Sequence, residues 1–133
     1  MIGAGAIFTN DRYPRATTPD LRALRTSAPD ERTRPTTVED GATIGAGCVI
    51  GCDLTIGRFA MVGMGAVVTR SVAPFHLVVG QPARPVAVVS RSGEPLMRFS
   101  GAKAPDRDLL TCPESGLRYA IRDGVVEELD PPS

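Results

Sequence analysis

Along the middle of the chain, aliphatic residues return at every sixth position: Val38, Ile44, Ile50, Ile56, Val62 and Val68. Glycine follows directly at Gly45, Gly51, Gly57 and Gly63. Four residues after each aliphatic stands a small or modest side chain: Ala42, Cys48, Leu54, Ala60, Ala66 and Val72. Upstream, Ile2 and Phe8 keep the same phase, with Gly3 and Ala6 in the matching places. Helices space apolar positions by about 3.6 residues and strands by two, so neither produces this period. A β-sandwich would alternate in twos between irregular turns.

A six-residue rule predicts a short strand and a turn per hexad, with three hexads closing one triangular coil and coils stacking. Ile44 then sits beneath Val62, Val38 beneath Ile56, and Ile50 beneath Val68. First-position aliphatics point inward, and fifth-position residues are small because the prism is narrow. Glycine at the second position eases the backbone round each corner. The expected fold class is all-β: a left-handed parallel β-helix of hexapeptide repeats, against the usual right-handed crossover preference. It is short, under three coils, with a long loop insertion and a small C-terminal β appendage.

Residues 11–37 interrupt the hexads with Pro14, Pro19, Pro29 and Pro35, and with Arg12, Arg15, Arg22, Arg25, Arg32 and Arg34. Such a long loop in a compact domain is usually functional or disordered. The stretch Asp20–Arg25 is expected to form one helical turn. The arginines suit a pyrophosphate or carboxylate, which guanidinium grips bidentately; the alternative is a solvated loop. Prolines after Val72 end the coil pattern, and the Val-rich stretch 73–89 is expected to cap the helix. Leu117, Tyr119 and Ile121 alternate up to Asp123-Gly124, a hairpin signal. The expected organisation is 1–89 for the β-helix, with an active-site loop at 11–37 and a cap at 73–89, then an extension at 90–133.

Composition narrows the function classes. The 133 residues carry 15 basic and 15 acidic side chains, so a nucleic-acid partner is not expected. No stretch approaches the ~20 apolar residues of a membrane span, no leader pattern opens the chain, and a cytoplasmic location is expected. Cys48, Cys52 and Cys112 form an odd set that suits a reducing compartment. With His76 they could hold zinc, but no paired Cys spacing is present, so no metal is expected and they read as small apolar filler.

The stretch I-G-A-G-C-V-I-G-C-D-L-T-I-G-R-F-A-M-V-G-M-G-A-V-V-T-R, closed by V-V-G-Q-P-A-R, resembles the hexapeptide-repeat acyltransferases. F-T-N-D-R-Y-P-R at 8–15 and the tail C-P-E-S-G-L-R-Y are similar to nucleotide-sugar N-acetyltransferases. Among these are the UDP-2-acetamido-3-amino-2,3-dideoxy-glucuronate and dTDP-3-amino-sugar enzymes of bacterial surface polysaccharide and lipopolysaccharide biosynthesis. The resemblance implies acetyl transfer from acetyl-CoA to the amino group of a UDP- or dTDP-linked amino sugar. It also implies a homotrimer with acetyl-CoA in the groove between neighbouring β-helices. Backbone amides of Ala46 and Met64 would contact the thioester and pantetheine arm, Thr69 and Arg70 would continue the groove, and Arg84 would approach the phosphates or adenine. Arg12 and Arg15 would meet the nucleotide sugar.

Two departures accompany the resemblance. Many acyltransferases of this kind use a His base, whereas this chain has only His76, beyond the last coil, where it reads as cap structure. Asn10 would then position the amine or a bridging water, and Asp11 would accept the proton directly or through water. The plainer reading of Asn10-Asp11 is a turn. The family also carries further hexads before F-T-N, so a separate chain or partner supplying N-terminal coils is one expectation. Alternatives are a non-catalytic truncated β-helix subunit and an O-acetyltransferase on another acceptor. A γ-type carbonic anhydrase needs three metal-binding His and is excluded.

Overall fold

Closing a coil requires equal sides, and the hexads supply them. The computed structural model describes residues 1–133 and contains strands but no helix. Seven strands of two residues each form the coils: β1 (Ile7–Phe8), β2 (Thr37–Val38), β3 (Thr43–Ile44), β4 (Val49–Ile50), β5 (Thr55–Ile56), β6 (Met61–Val62) and β7 (Val67–Val68). All their pairings are parallel, with Val38 opposite Ile56, Ile44 opposite Val62 and Ile50 opposite Val68. This is the left-handed parallel β-helix expected from the spacing. Its core is Ile44, Ile50, Ile56, Val62 and Val68 interleaved with Ala42, Cys48, Ala60 and Ala66, so large and small positions fill the prism as expected. Corner glycines let coils approach closely: a Cβ at Gly45 would stand 2.7 Å from the Met64 nitrogen.

The last coil departs from the hexad rule. Ile56 bridges Val72, and Val62 pairs with Val78, both 16 residues on rather than 18. Val72, expected as a small fifth-position residue, instead occupies an inward strand slot. The hexad position proper falls on Pro74, which has no N–H for the ladder. The Ser71 hydroxyl accepts the Thr55 N–H at 3.0 Å beside the shortened corner, and Val72 N–H reaches Thr55 O at 2.9 Å. At the other end, Ile2, Phe8 and Val38 keep the inward phase but are 57, 41 and 37% exposed, whereas Ile44, Ile50 and Ile56 are fully buried.

Beyond the coils, β8 (His76–Gly80) pairs with β6 and turns back as β9 (Ala83–Val89), joined by β10 (Pro95–Arg98), giving a mixed sheet β10-β9-β8-β6-β3. β11 (Arg107–Thr111), β12 (Arg118–Arg122) and β13 (Val125–Glu128) form an antiparallel sheet, with Asp123-Gly124 at the β12–β13 turn. A second core of Phe75, Val88, Ala104, Cys112, Tyr119 and Ile121 takes members from both stretches and packs them together. Phe75 stacks on Phe59 at 5.3 Å and meets Tyr119 edge-on at 5.6 Å. The Arg91 guanidinium lies 4.6 Å over Phe59 and grips Glu128 through two nitrogens; Arg58 reaches the same carboxylate at 3.6 Å. Hydrogen bonds from Arg91 hold the nearly buried Glu128 carboxyl below its ordinary range, against the opposing effect of burial.

Two outcomes follow. Ile50→Ala, which empties the centre of the prism, should lower unfolding free energy by about 3 kcal/mol in urea titration. Because the Glu128 pKa is depressed on folding, its contribution is complete above about pH 4.5 and is lost as pH falls through the lower folded value. Glu128→Gln should therefore flatten the acid limb of a Tm-versus-pH curve and lower Tm at neutral pH.

Candidate active site

Each side of the prism ends in a corner, and one corner is irregular in two coils. From Phe8 to Val38 the chain takes 30 residues to round it, from Ile50 to Ile56 six, and from Val68 to Val72 four. Asn10 and Asp11 stand at its first level, Cys52 and Asp53 at the second, and Thr69 and Arg70 at the third, as the pairing of β1, β4 and β7 requires. Adjacent levels are ~4.8 Å apart, which puts Asn10 about 10 Å from Arg70 along the edge.

The loop at 11–37 is ordered by polar contacts. Asp11 bridges Thr33, and Asn10 O accepts the Arg34 N–H at 2.8 Å, closing the loop at its base. Arg25 is the organising side chain: Nη1 lies 3.4 Å from Asp11 Oδ2 and donates to Tyr13 O at 3.1 Å, and Nη2 lies 3.4 Å from Asp30 Oδ2. It is the least exposed of the arginines that form loop ion pairs, with a side chain 19% exposed. The helical turn expected at Asp20–Arg25 is absent. Thr17 bridges Leu24, the Asp20 carboxylate accepts from Thr18 Oγ1 and Arg22 N, and Leu21 adopts φ 62°. Short polar side chains that bond their own backbone compete with helix in this way.

Of the loop arginines, Arg12 is paired with Asp53 at 3.1 Å, Arg22 with Asp20 at 3.9 Å, and Arg15 donates to Pro14 O at 3.0 Å. Arg12 and Arg15 are exposed at the loop's start. The Asp11 carboxylate holds the Tyr13 N–H at 2.9 Å and faces Arg25, which fixes its orientation; the Asn10 side-chain amide is exposed.

The preceding corner of the same β1-β4-β7 face carries Ala46 and Met64. Gly47 N–H bonds Ala4 O, Gly65 N–H bonds Ala46 O, and the Gln81 side chain donates to Gly65 O at 2.8 Å, so Ala4, Ala46, Met64 and Gln81 form one column. Gly47 and Gly65 have φ near +70°, and a Cβ on either would meet nothing within 4 Å. The N–H groups of Ala46 and Met64 donate to no backbone carbonyl, whereas those of Gly45, Gly47, Gly63 and Gly65 all do. The corner therefore offers two backbone amide donors without backbone acceptors. Asn10 and Ala46 thus flank one face from opposite corners, and a single chain does not bring them together.

Arg70 and Arg84 meet on one cavity of about 620 Å³. Buried His76 also lines it, its Nδ1 lying 2.9 Å from Pro74 O. The three cysteines are free and lie apart, Cys48 in the prism, Cys52 on a corner and Cys112 in the second core; no His, Cys, Asp or Glu cluster could hold a metal ion. Sequence reasoning named Arg25 only as one of six loop arginines suited to a carboxylate, and missed Asp53, Gln81 and Lys103. Of these three, only Gln81 carried a signal, through the V-G-Q-P-A-R stretch.

Residues 35–70 match the family model for bacterial transferase hexapeptide (six repeats). The chain is 39% identical over 94 residues to a dTDP-3-amino-3,6-dideoxy-alpha-D-galactopyranose 3-N-acetyltransferase of Aneurinibacillus thermoaerophilus, covering 71% of this chain and 45% of that protein. It thus spans less than half the length of that relative. Among solved structures, a point mutant of AntD, an N-acyltransferase of Bacillus cereus, in complex with dTDP and coenzyme A, shares its fold at 21% identity. That match has a TM-score of 0.52 and covers 68% of this chain and 50% of that one. A hexapeptide-repeat-containing acetyltransferase of Vibrio cholerae O1 biovar eltor, complexed with acetyl coenzyme A, is 26% identical, with a TM-score of 0.50. It covers 67% of this chain and 46% of that one.

Arg25→Ala removes three contacts that hold the loop against its base. Cleavage within residues 11–37 by subtilisin should accelerate about tenfold, while global stability falls by no more than ~1 kcal/mol.

Proposed function

We propose that this chain, whose repeat segment belongs to the bacterial transferase hexapeptide family, moves an acetyl group from acetyl-CoA to the amino group of a nucleotide-linked amino sugar. The observation that carries this reading is the 39% identity to an amino-sugar 3-N-acetyltransferase across 71% of the chain. The acceptor is a UDP- or dTDP-linked sugar, made in the cytoplasm for bacterial surface polysaccharide.

In this reading the backbone amides of Ala46 and Met64 hold the pantetheine arm and thioester along their open corner. Thr69, Arg70 and Arg84 continue the coenzyme's course, and Arg12 and Arg15 meet the sugar nucleotide's phosphates. Since Asn10 and Ala46 stand on opposite corners of one face, the site is completed when a neighbouring copy brings its own corner alongside, as in a homotrimer.

The chemistry requires a neutral amine. Its lone pair attacks the thioester carbonyl carbon, a C–N bond forms, and charge gathers on the carbonyl oxygen, where amide donors stabilise it. The Asn10 side chain orients the amine or a bridging water through its carbonyl oxygen. The proton leaving nitrogen passes to Asp11, directly or through that water, because Arg25 and Tyr13 hold the carboxylate in place. The carbonyl then re-forms as the C–S bond breaks, and the leaving thiolate takes that proton back from Asp11 through water, so that coenzyme A departs as the thiol.

Asn10→Ala should reduce kcat/KM about 10²- to 10³-fold with unchanged circular dichroism, measured by thiol release from acetyl-CoA with a panel of UDP- and dTDP-linked amino sugars. Absence of thiol release with any acceptor, together with no calorimetric binding of coenzyme A, would assign the chain to a non-catalytic β-helix subunit. Release only with hydroxyl acceptors would assign it to O-acetyl transfer.

A further inference from the structure

The cavity of about 620 Å³ is built from four stretches: the shortened corner with Arg70 and Ser71, the β8–β9 hairpin with Arg84, the segment ahead of β11 with Lys103, and the β12–β13 turn with Asp123. Neither Arg70 nor Arg84 has a carboxylate partner; Arg84 spends one donor on the neighbouring Ala83 O at 2.9 Å. Lys103 is the only lysine in the chain. Its ammonium is paired with Asp123, and its stem lies across Gly124, where a Cβ would come within 2.8 Å of Lys103 Cγ. Three cations therefore share one cavity with a single carboxylate. The lining also includes Val68, Val72 and Val78 of the β-helix core and exposed Val125 of the sheet. Surplus positive charge beside apolar surface suits a ligand with phosphate groups attached to a ring or an alkyl arm.

We propose that this cavity binds the phosphate groups of a nucleotide-type ligand and that Lys103, in the segment that leads into the C-terminal sheet, is a binding residue beside Arg70 and Arg84. The C-terminal sheet is then a wall of the site. This deepens the acetyltransferase reading and rests on it for the placing of Arg70 and Arg84. The same phosphate chemistry occurs in coenzyme A and in the diphosphate of a sugar nucleotide.

The test is calorimetric titration of the full chain with coenzyme A, 3′-dephospho-coenzyme A, dTDP and UDP. Lys103→Gln should weaken at least one of them about fivefold, as for one solvent-exposed charge-assisted contact, and Lys103→Arg should restore affinity to within about twofold. Modification of the lone ε-amino group by trinitrobenzenesulfonate, mapped by mass spectrometry, should slow when that probe is bound. An effect on coenzyme A but not on its dephospho form places the coenzyme's 3′-phosphate in the cavity; an effect on dTDP or UDP places the sugar nucleotide there. If acetyl transfer is observed but Lys103→Gln binds every probe as wild type does, the cavity proposal falls and the acetyltransferase reading stands. Lys103-dependent binding without acetyl transfer to any acceptor sustains the cavity and overturns that reading. If no probe binds the wild-type chain, both fall.

Discussion

Everything in this molecule depends on one closure condition: three sides of equal length must return the backbone to a position directly above itself. When they do, every strand of one coil donates and accepts with the coil 18 residues away, and the inward aliphatics fall into register without further instruction. Narrowness supplies the second half of the constraint. A prism with room for one large side chain per face and level must take small residues next to it, hence Ala42, Cys48, Ala60 and Ala66 among the isoleucines and valines. Glycine at the corners lets stacked backbones approach to a distance that a Cβ would block.

The departures from closure concentrate on one edge. The corner after β1 swells to hold the loop, and the corner after β7 contracts, while the intervening corner keeps its hexad length. Such edits are tolerated at a corner because the ladder is carried by the flat sides, and an insertion leaves the phase of the next side unchanged. Contraction has the larger structural effect. It brings Val72 inward and shifts the register under β8, and the chain leaves the prism as a hairpin whose antiparallel sheet supports the C-terminal strands. The same contraction sets Arg70 beside that hairpin and makes the cavity that Arg84 and Lys103 share.

Three of the loop's six arginines are paired with carboxylates, Arg22 and Arg25 with those of the loop itself and Arg12 with Asp53 of the adjacent coil. Arg25, which spans Asp11, Tyr13 and Asp30, fixes the one carboxylate next to Asn10. A loop of this length gains order from such contacts where hydrophobic burial is scarce.

The coils, their register and the division into large and small core positions were legible in the hexad pattern, because a period of six has one geometrical solution and each repeat restates it. The Asp123-Gly124 turn was legible for a similar reason, its conformation being a local property of two residues. Asn10 and Asp11 stood out only through the resemblance of F-T-N-D-R-Y-P-R to nucleotide-sugar N-acetyltransferases; by spacing alone they read as a turn. Tertiary structure alone decided the rest. The pairing of Ile56 with Val72 arose from competition between hexad phase and a proline without an N–H, which periodicity does not weigh. The bonds of Arg25 and the meeting of Arg70, Arg84 and Lys103 join residues far apart in the chain, with no repeat to index them. Repetition makes long-range contacts readable from local spacing; where it stops, only the folded backbone determines which side chains meet.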